Sequence, residues 1–292
     1  MSLQEALASG RFVITSEVGP PKGTDMGPAV EGAALCRDCV DAFAVTDNQA
    51  SVMKMDPVVA CLRLKQAGLS PVLQITCRDR NRLALQSLLL SAHNLGLSEI
   101  VCLTGDHVVL GDDQEAMPVF DIDSVHLLKA VQGLMAGRDM ADNELEGDPP
   151  QFFAGCVASP GSLPMEPQVL KLEKKVAAGA QFVLTQAIYD MDVLAEFMRA
   201  VRHLDVPIIG GFVVLKSARM AAFMNKHTAG VTVPDHLIAE LDACTSREER
   251  RAKAIDIAAR LVTGIRQHCR GVHIMSLGWD HHIPAILDAA AL

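Results

Sequence analysis

One pattern recurs along the chain: a short run rich in Val and Ile, then a polar break, then a longer stretch at helical period. The apolar runs occupy 12–18, 41–47, 71–77, 99–104, 152–158, 182–188, 207–214 and 271–277. The helical stretches lie at 53–67, 82–96, 123–136, 166–178, 191–203, 216–227 and 246–269. Strands that face water on one side alternate apolar and polar residues, whereas these runs are nearly continuous. That is the pattern of parallel strands covered by helices on one side and packed on the other. Eight βα units at a spacing of about 30 residues fit an α/β fold of the (β/α)8 TIM-barrel type, with 1–292 as a single domain. A doubly wound open sheet is the runner-up, but no G-x-G-x-x-G follows the first strand. Of the two longer connections, 105–122 follows strand four and is expected on the ligand-facing end, and 137–151 on the opposite end.

The charge balance narrows the function. Acidic and basic residues are interleaved and the formal net charge is −9, which speaks against a dedicated nucleic-acid surface. No stretch of about 18 apolar residues occurs and no basic segment leads into an apolar run at the N-terminus, so a cytoplasmic protein without a membrane span is expected. Six of the eight cysteines are isolated, and Cys36 and Cys39 form the one C-x-x-C. No second pair or H-x3-5-H completes a zinc set, so no metal site is expected. The pair is expected in the last turn of a helix, where it would act as two structural thiols.

Polar residues gather where the apolar runs end: Glu17, Thr46-Asp47-Asn48, Gln74 with Thr76, Thr104-Gly105-Asp106, Ser159, Gln186, Lys216-Ser217 and Ser276. Barrel mouths are polar in any case, since strand ends meet water there. That accounts less well for Glu17 and Asp106, each set in an otherwise apolar run. A carboxyl partly withdrawn from water holds its proton to higher pH, which suits it to deliver one near neutrality. Gly105 would let a flat ligand approach the backbone. His281 and His282 are adjacent and point apart, so they are expected on the surface or rim. His107, beside Asp106, has the stronger claim to the rim of the site.

Taken together, S-E-V-G-P-P (16–21), A-V-T-D-N (44–48), L-Q-I-T-C-R-D (73–79), L-T-G-D (103–106), A-G-C-V-A-S-P (154–160), L-E-K-K-V-A-A-G-A (172–180) and T-Q-A-I-Y-D (185–190) resemble the methylenetetrahydrofolate reductase family. The resemblance runs over nearly the whole chain. It implies an FAD-dependent barrel of one-carbon metabolism that reduces 5,10-methylenetetrahydrofolate to 5-methyltetrahydrofolate. It also implies that Glu17 is the general acid that opens the folate's five-membered ring. On the same resemblance, Asp106 lies beside flavin and pterin and favours the cationic iminium, and Gln186 and Thr46 meet the pterin. FAD would be contacted by Thr46, Gln74, Leu103, Thr104, Gly105, Asp106, Phe120, Ser159, Lys174 and Lys175, the two lysines meeting the pyrophosphate.

The chain also departs from the family's pattern. Gln74 stands where histidine is common, Phe120 where a tyrosine is, and Trp279 where many members carry an arginine for the folate tail. The 211–217 segment, G-F-V-V-L-K-S, lacks the proline usual near the nicotinamide site. NADH is therefore a less expected electron donor than a partner protein, and a homo- or hetero-oligomer is expected. Two rivals bind the same ligand: a flavin-free methyltransferase barrel and a folate-binding subunit of a larger complex.

Overall fold

Each of the eight apolar runs becomes a strand in the computed structural model, which describes residues 1–292. They are β1 (Val13–Val18), β2 (Ala42–Val45), β3 (Pro71–Thr76), β4 (Glu99–Leu103), β5 (Phe153–Ala158), β6 (Phe182–Ala187), β7 (Ile208–Val213) and β8 (Gly271–Met275). All neighbours are parallel and β8 pairs with β1, so the sheet closes into a barrel in chain order. Because side chains alternate across a strand, each one feeds two cores. Phe43, Leu73, Ile75, Ile100 and Cys156 face the helices, within a large outer apolar cluster. Val13, Ala44, Val72, Val101, Phe153, Phe182 and Ile209 face inward, within a separate cluster that fills the lower barrel.

Eleven helices accompany the strands: α1 (Leu3–Ala8), α2 (Gly27–Ala34), α3 (Pro57–Gln66), α4 (Arg82–Asn94), α5 (Ser124–Met135), α6 (Glu166–Ala177), α7 (Met191–Ala200), α8 (Ala218–His227), α9 (Asp235–Asp242), α10 (Arg247–Arg266) and α11 (Ile283–Ala289). Their starts follow local chemistry. Asp56, Asn81, Asp123, Asp190 and Ser217 each cap a helix by accepting from its first-turn amides, and Ser246 forms a capping box with Glu249.

Three short helices lie outside the expected set: α1, α9 and α11. At six to eight residues they are too short to show a helical period in sequence. Of these, α1 matters most to the barrel. Its Leu3, Ala6 and Leu7 join the inner cluster and close the bottom, and the Gln4 amide donates to buried Glu99 at the foot of β4 at 2.8 Å. Cys36 and Cys39 also depart from expectation. α2 ends at Ala34, so the pair lies in the turn beyond it, with each thiol donating to a backbone carbonyl, Asp280 O and Cys36 O respectively. With its bottom plugged by α1 and its middle filled by apolar side chains, the barrel's interior opens at the C-terminal ends of its strands.

Candidate active site

The open end holds a cavity of about 390 Å³. Alternation decides what lines it: the residue of each strand that faces inward near its C-terminal end projects into the mouth. Glu17, Gln74, Leu103, Gln186 and His273 arrive this way from five strands, and Thr46 and Ser159 from just beyond the ends of β2 and β5. Of the residues expected from the sequence, Glu17, Thr46, Gln74, Leu103, Thr104, Gly105, Asp106, Ser159, Gln186 and Lys175 line this one cavity.

Glu17 is half-buried at the wall. Burial pushes its pKa from the ordinary carboxylate range up to about 7, only partly offset by the Gln49 side-chain amide, which donates to Oε1 at 2.9 Å. A carboxyl with that pKa is divided between its acid and base forms at neutral pH, the condition under which general acid catalysis is most efficient. Gln49 is held by an unusual loop. Asn48, Ala50 and Ser51 all have positive φ, at 44°, 54° and 57°. Left-handed backbone in non-glycine residues is strained and persists where the surroundings enforce it, most often beside functional groups.

Part of that enforcement comes from Arg78, which is almost fully buried. Its guanidinium meets Asp79 in two hydrogen bonds of 2.7 Å and donates to the carbonyls of Asn48 and Asp106 at 3.1 and 3.3 Å. One side chain thus ties together the loops after β2, β3 and β4. Nearby, Asp47 accepts from the Thr76 amide and hydroxyl, both at 2.9 Å, and from Arg80 at 2.7 Å.

Asp106 differs from expectation. The chain has left the barrel by the time it reaches this residue, so its side chain is exposed and not withdrawn from water. It borders the cavity as an exposed residue. Gly105, just before it, has φ +93°, and a Cβ there would lie 3.1 Å from the Cβ atoms of Arg78 and Thr76. Only glycine fits that turn.

Lys174 is also placed differently. Gln168, Lys171 and Lys175 of α6 line the cavity, being three and four residues apart on one helical face, and Lys174 points to solvent off that face. Lys175 is buried, donates to Val157 O at 2.6 Å, and has its pKa lowered by that burial. Phe120 lies in an adjoining cavity of about 500 Å³ that shares Thr104 and Gly105 with the first. It stacks on His107 with ring centroids 6.0 Å apart.

Sequence reasoning passed over His273. It is fully enclosed on β8 with Nδ1 3.0 Å from the Thr15 hydroxyl, it borders the cavity, and burial lowers its pKa to about 4. The imidazole is therefore neutral at physiological pH. Alternation along β8 was the available signal, since Gly271, His273 and Met275 share a parity that would face inward. Gln49, Arg78 and Lys171 carried no such signal. No group of three His, Cys, Asp or Glu side chains is arranged to hold a metal ion, and no helix is long and apolar enough to cross a membrane.

Three kinds of comparison bear on this geometry. A family model described as methylenetetrahydrofolate reductase matches residues 2–291. Among curated proteins, a probable methylenetetrahydrofolate reductase (NADPH) of Caenorhabditis elegans is 22% identical, over 80% of this chain and 34% of its own length. Methylenetetrahydrofolate reductase (NADH) 1 of Arabidopsis thaliana is 25% identical, over 74% of this chain and 37% of its own. The chain thus spans about a third of the length of the curated relatives it matches. Among solved structures, an uncharacterized Clostridium thermocellum protein that binds two copies of 5-methyl-5,6,7,8-tetrahydrofolic acid superimposes with a TM-score of 0.63. It is 16% identical and 99% of each chain is covered. A 2,3-dimethylmalate lyase gives a TM-score of 0.53 at 13% identity, over 98% of this chain and 82% of its own. Both likenesses are of fold.

Proposed function

Because the chain belongs to the methylenetetrahydrofolate reductase family, we propose that it reduces 5,10-methylenetetrahydrofolate to 5-methyltetrahydrofolate, with Glu17 as the general acid. The observation that carries this reading is the half-buried carboxyl of Glu17 at the barrel mouth, poised near pH 7.

The cavity suits FAD on three counts. The Thr46 hydroxyl is buried at its edge with no hydrogen-bond partner, so a polar group of a ligand can satisfy it. Gly105 lines the same cavity without a side chain, so its backbone is accessible to a flat ligand there. The lysines at 171 and 175 put two cations on one face of α6, where Gln74, Leu103, Thr104 and Ser159 complete the wall toward a phosphate-bearing cofactor. When bound and reduced by the electron donor, the flavin would supply the hydride.

The chain's own residues do the rest. Glu17 donates its proton to N10 of the folate, the bond between N10 and the bridging carbon breaks, and the ring opens to a cationic N5 iminium. The incoming hydride adds to that carbon to give the N5-methyl group, and Glu17 regains a proton from solvent. Gln49, donating to Glu17, steadies the carboxylate left after proton transfer. The carbonyl oxygen of Gln186 accepts from the Ala187 amide at 3.0 Å, which leaves its NH2 free to donate to the pterin. Asp106 sets a negative charge at the cavity edge, where it favours the iminium; being exposed, it acts weakly.

Glu17→Gln tests the assignment. The variant is expected to bind flavin normally and to transfer hydride to methylenetetrahydrofolate about 10²–10⁴-fold more slowly. Retention of more than about a tenth of the rate rules Glu17 out as the acid.

The electron source belongs to the same proposal. The 211–217 segment, Gly-Phe-Val-Val-Leu-Lys-Ser, lacks the proline that the family resemblance places near the nicotinamide site. A protein donor is therefore proposed, with NADH a slow substitute. Stopped-flow reduction of the bound flavin by NADH at about 10 s⁻¹, an ordinary turnover value, overturns this.

A further inference from the structure

The C-x-x-C of the sequence takes no part in the chemistry proposed above, yet it lies behind one wall of the site. Cys36 and Cys39 occupy the turn beyond α2, where the Cys39 and Val40 amides both donate to Cys36 O, at 3.1 and 2.9 Å. A helical turn sets Cα atoms three residues apart at about 5 Å, inside the range that a disulfide spans. Cys36 is fully enclosed and Cys39 is half-buried, so one sulfur reaches solvent with the other behind it. No other pair in the chain has this arrangement in sequence. Cys61, Cys77, Cys102, Cys156 and Cys269 are buried, and burial pushes the pKa of each thiol up. Cys244, half-buried like Cys39, has no second cysteine in its own turn.

The Cys36 thiol has one proton and two acceptors. It donates to Asp280 O at 3.1 Å, and the Cys39 sulfur is also within its hydrogen-bonding reach. A hydrogen bond from Cys36 lowers the pKa of Cys39, against burial and the negative charges of Asp38, Asp288 and Asp41. The same bond, then burial, raises the pKa of Cys36. Cys39 is thus the thiol of the pair that ionises, and it is also the one that an oxidant can reach.

The other acceptor, Asp280 O, belongs to a strained segment after β8. Asp280 is held by the Cys36 thiol at its carbonyl, by the Ser276 hydroxyl, which donates to Oδ1 at 2.7 Å, and by close packing of α2. A Cβ on Gly32 of that helix would lie 3.3 Å from Asp280 Oδ2. Just upstream, Leu277 has φ +50°. A left-handed leucine persists where its surroundings enforce it. The segment is also part of the site's wall: a cavity of about 590 Å³ is bordered both by Leu277, Gly278 and Asp280 and by Glu17, Thr46 and Gln49.

We propose that Cys36 and Cys39 form a reversible disulfide, and that closing it releases Asp280 and loosens the loop beside Glu17. The oxidant is hydrogen peroxide. The Cys39 thiolate attacks one peroxide oxygen, the O–O bond breaks, and hydroxide leaves, recovering as water the proton that Cys39 gave up. Cys39 is then a sulfenic acid. The Cys36 sulfur attacks the Cys39 sulfur, the S–S bond forms, and hydroxide leaves with the Cys36 proton as a second water. Two thiols have lost two protons and two electrons, and one peroxide has become two waters. A dithiol reductant reverses the step by exchange, entering at the accessible sulfur. Once in the disulfide, Cys36 has no proton to give to Asp280 O, and the loop loses one of its three attachments. This device is argued from its own residues and does not depend on the reaction assigned to the cavity.

The test reads the two sulfurs and Trp279, the only tryptophan in the chain and the neighbour of Asp280. The purified protein, reduced and freed of reductant, is treated with hydrogen peroxide, then denatured and alkylated with iodoacetamide. Peptide mapping is expected to find Cys36 and Cys39 joined, unalkylated and lighter by two hydrogens, with the other six cysteines alkylated. Trp279 emission is expected to shift in step with the bond and to return on adding dithiothreitol. Before oxidation, iodoacetamide at pH 7 should label Cys39 in the native protein at least about tenfold faster than Cys244. Cys39→Ser should abolish both the bond and the emission shift. Cys36→Ser should leave a sulfenic acid at Cys39, trapped by dimedone. Absence of the 36–39 bond in the oxidised wild-type protein overturns the proposal without recourse to any variant. Labelling of Cys244 as fast as Cys39 overturns Cys39 as the reactive thiol, and a bond that leaves Trp279 emission unchanged overturns the release of the loop. None of these readings involves turnover, so a failure to reduce methylenetetrahydrofolate would overturn the proposed function and leave this result standing.

Discussion

At the scale of single residues, Glu17 links chemistry to stability. Its carboxyl keeps its proton to about pH 7 in the folded chain, against an ordinary value of 4.5. Between those limits the folded state binds a proton that the unfolded state has released, so stability falls as pH rises through this window. Above it the loss is complete, at most about 3 kcal/mol at about 1.4 kcal/mol per unit. Glu17→Gln should therefore raise the melting temperature at pH 8 by several degrees and leave it unchanged at pH 4. An equal effect at both pH values, by differential scanning calorimetry, would show that the carboxyl is not withdrawn from water. Glu17 was legible in the sequence because one carboxylate interrupts a buried strand. Asp106 looked alike, yet the chain turns out into solvent at Gly105 before reaching it. Lys174 was likewise named beside Lys175, although the helical period of α6 turns the first outward and pairs the second with Lys171.

At the scale of elements, the inner barrel is built on complementary sizes. Gly155 of β5 leaves room for the ring of Phe182 on β6, and a Cβ at 155 would lie 2.4 Å from that ring's Cζ. Phe182 in turn stacks on Phe153, with centroids 5.0 Å apart. Gly155→Ala is expected to destabilise the protein by about 1–3 kcal/mol through overpacking. The same substitution in a Phe182→Leu background should cost measurably less. Urea denaturation of the four-member cycle checks this, and strictly additive effects would place the strain elsewhere. The strands were legible because a buried parallel strand reads as an unbroken apolar run. α1, α9 and α11 were not, since six to eight residues hold barely two turns and tertiary packing, more than local pattern, stabilises them. The loop after β2 was also hidden. Its left-handed residues are held partly by Arg78, a contact from another strand's end.

For the molecule as a whole, two enclosed groups set opposing pH slopes. His273 holds its neutral form down to about pH 4, against 6.5 when unfolded. In that window the unfolded chain takes up a proton that the folded chain refuses, so stability falls as pH falls. Glu17 acts in the opposite sense from 4.5 to 7, and between 4.5 and 6.5 the two contributions largely cancel. His273→Asn should remove one acid-side slope, at most about 3 kcal/mol, and shift the pH of maximum stability downward. A series of urea midpoints from pH 4 to 7 measures this. An unchanged acid limb would mean that the imidazole is protonated in the folded barrel.

The sequence by itself determined the number, order and parallel sense of the strands. Those follow from local periodicity and from the handedness of βα connections, both of which act over a few tens of residues. It also marked Glu17, through a mismatch between one residue and its neighbours. Only the tertiary structure decided which side chains share a cavity. Thr15 and His273 hydrogen-bond across 258 residues because β8 closes against β1, and Glu17 overlooks the same space from two residues farther along the strand. Arg247 and Arg251 share a pocket with Trp279 because α10 packs against β8 and presents its first turns beside the loop that follows that strand. Convergence of this kind is set by barrel closure and register. Its determinants are spread over every strand, and no window of the sequence contains them.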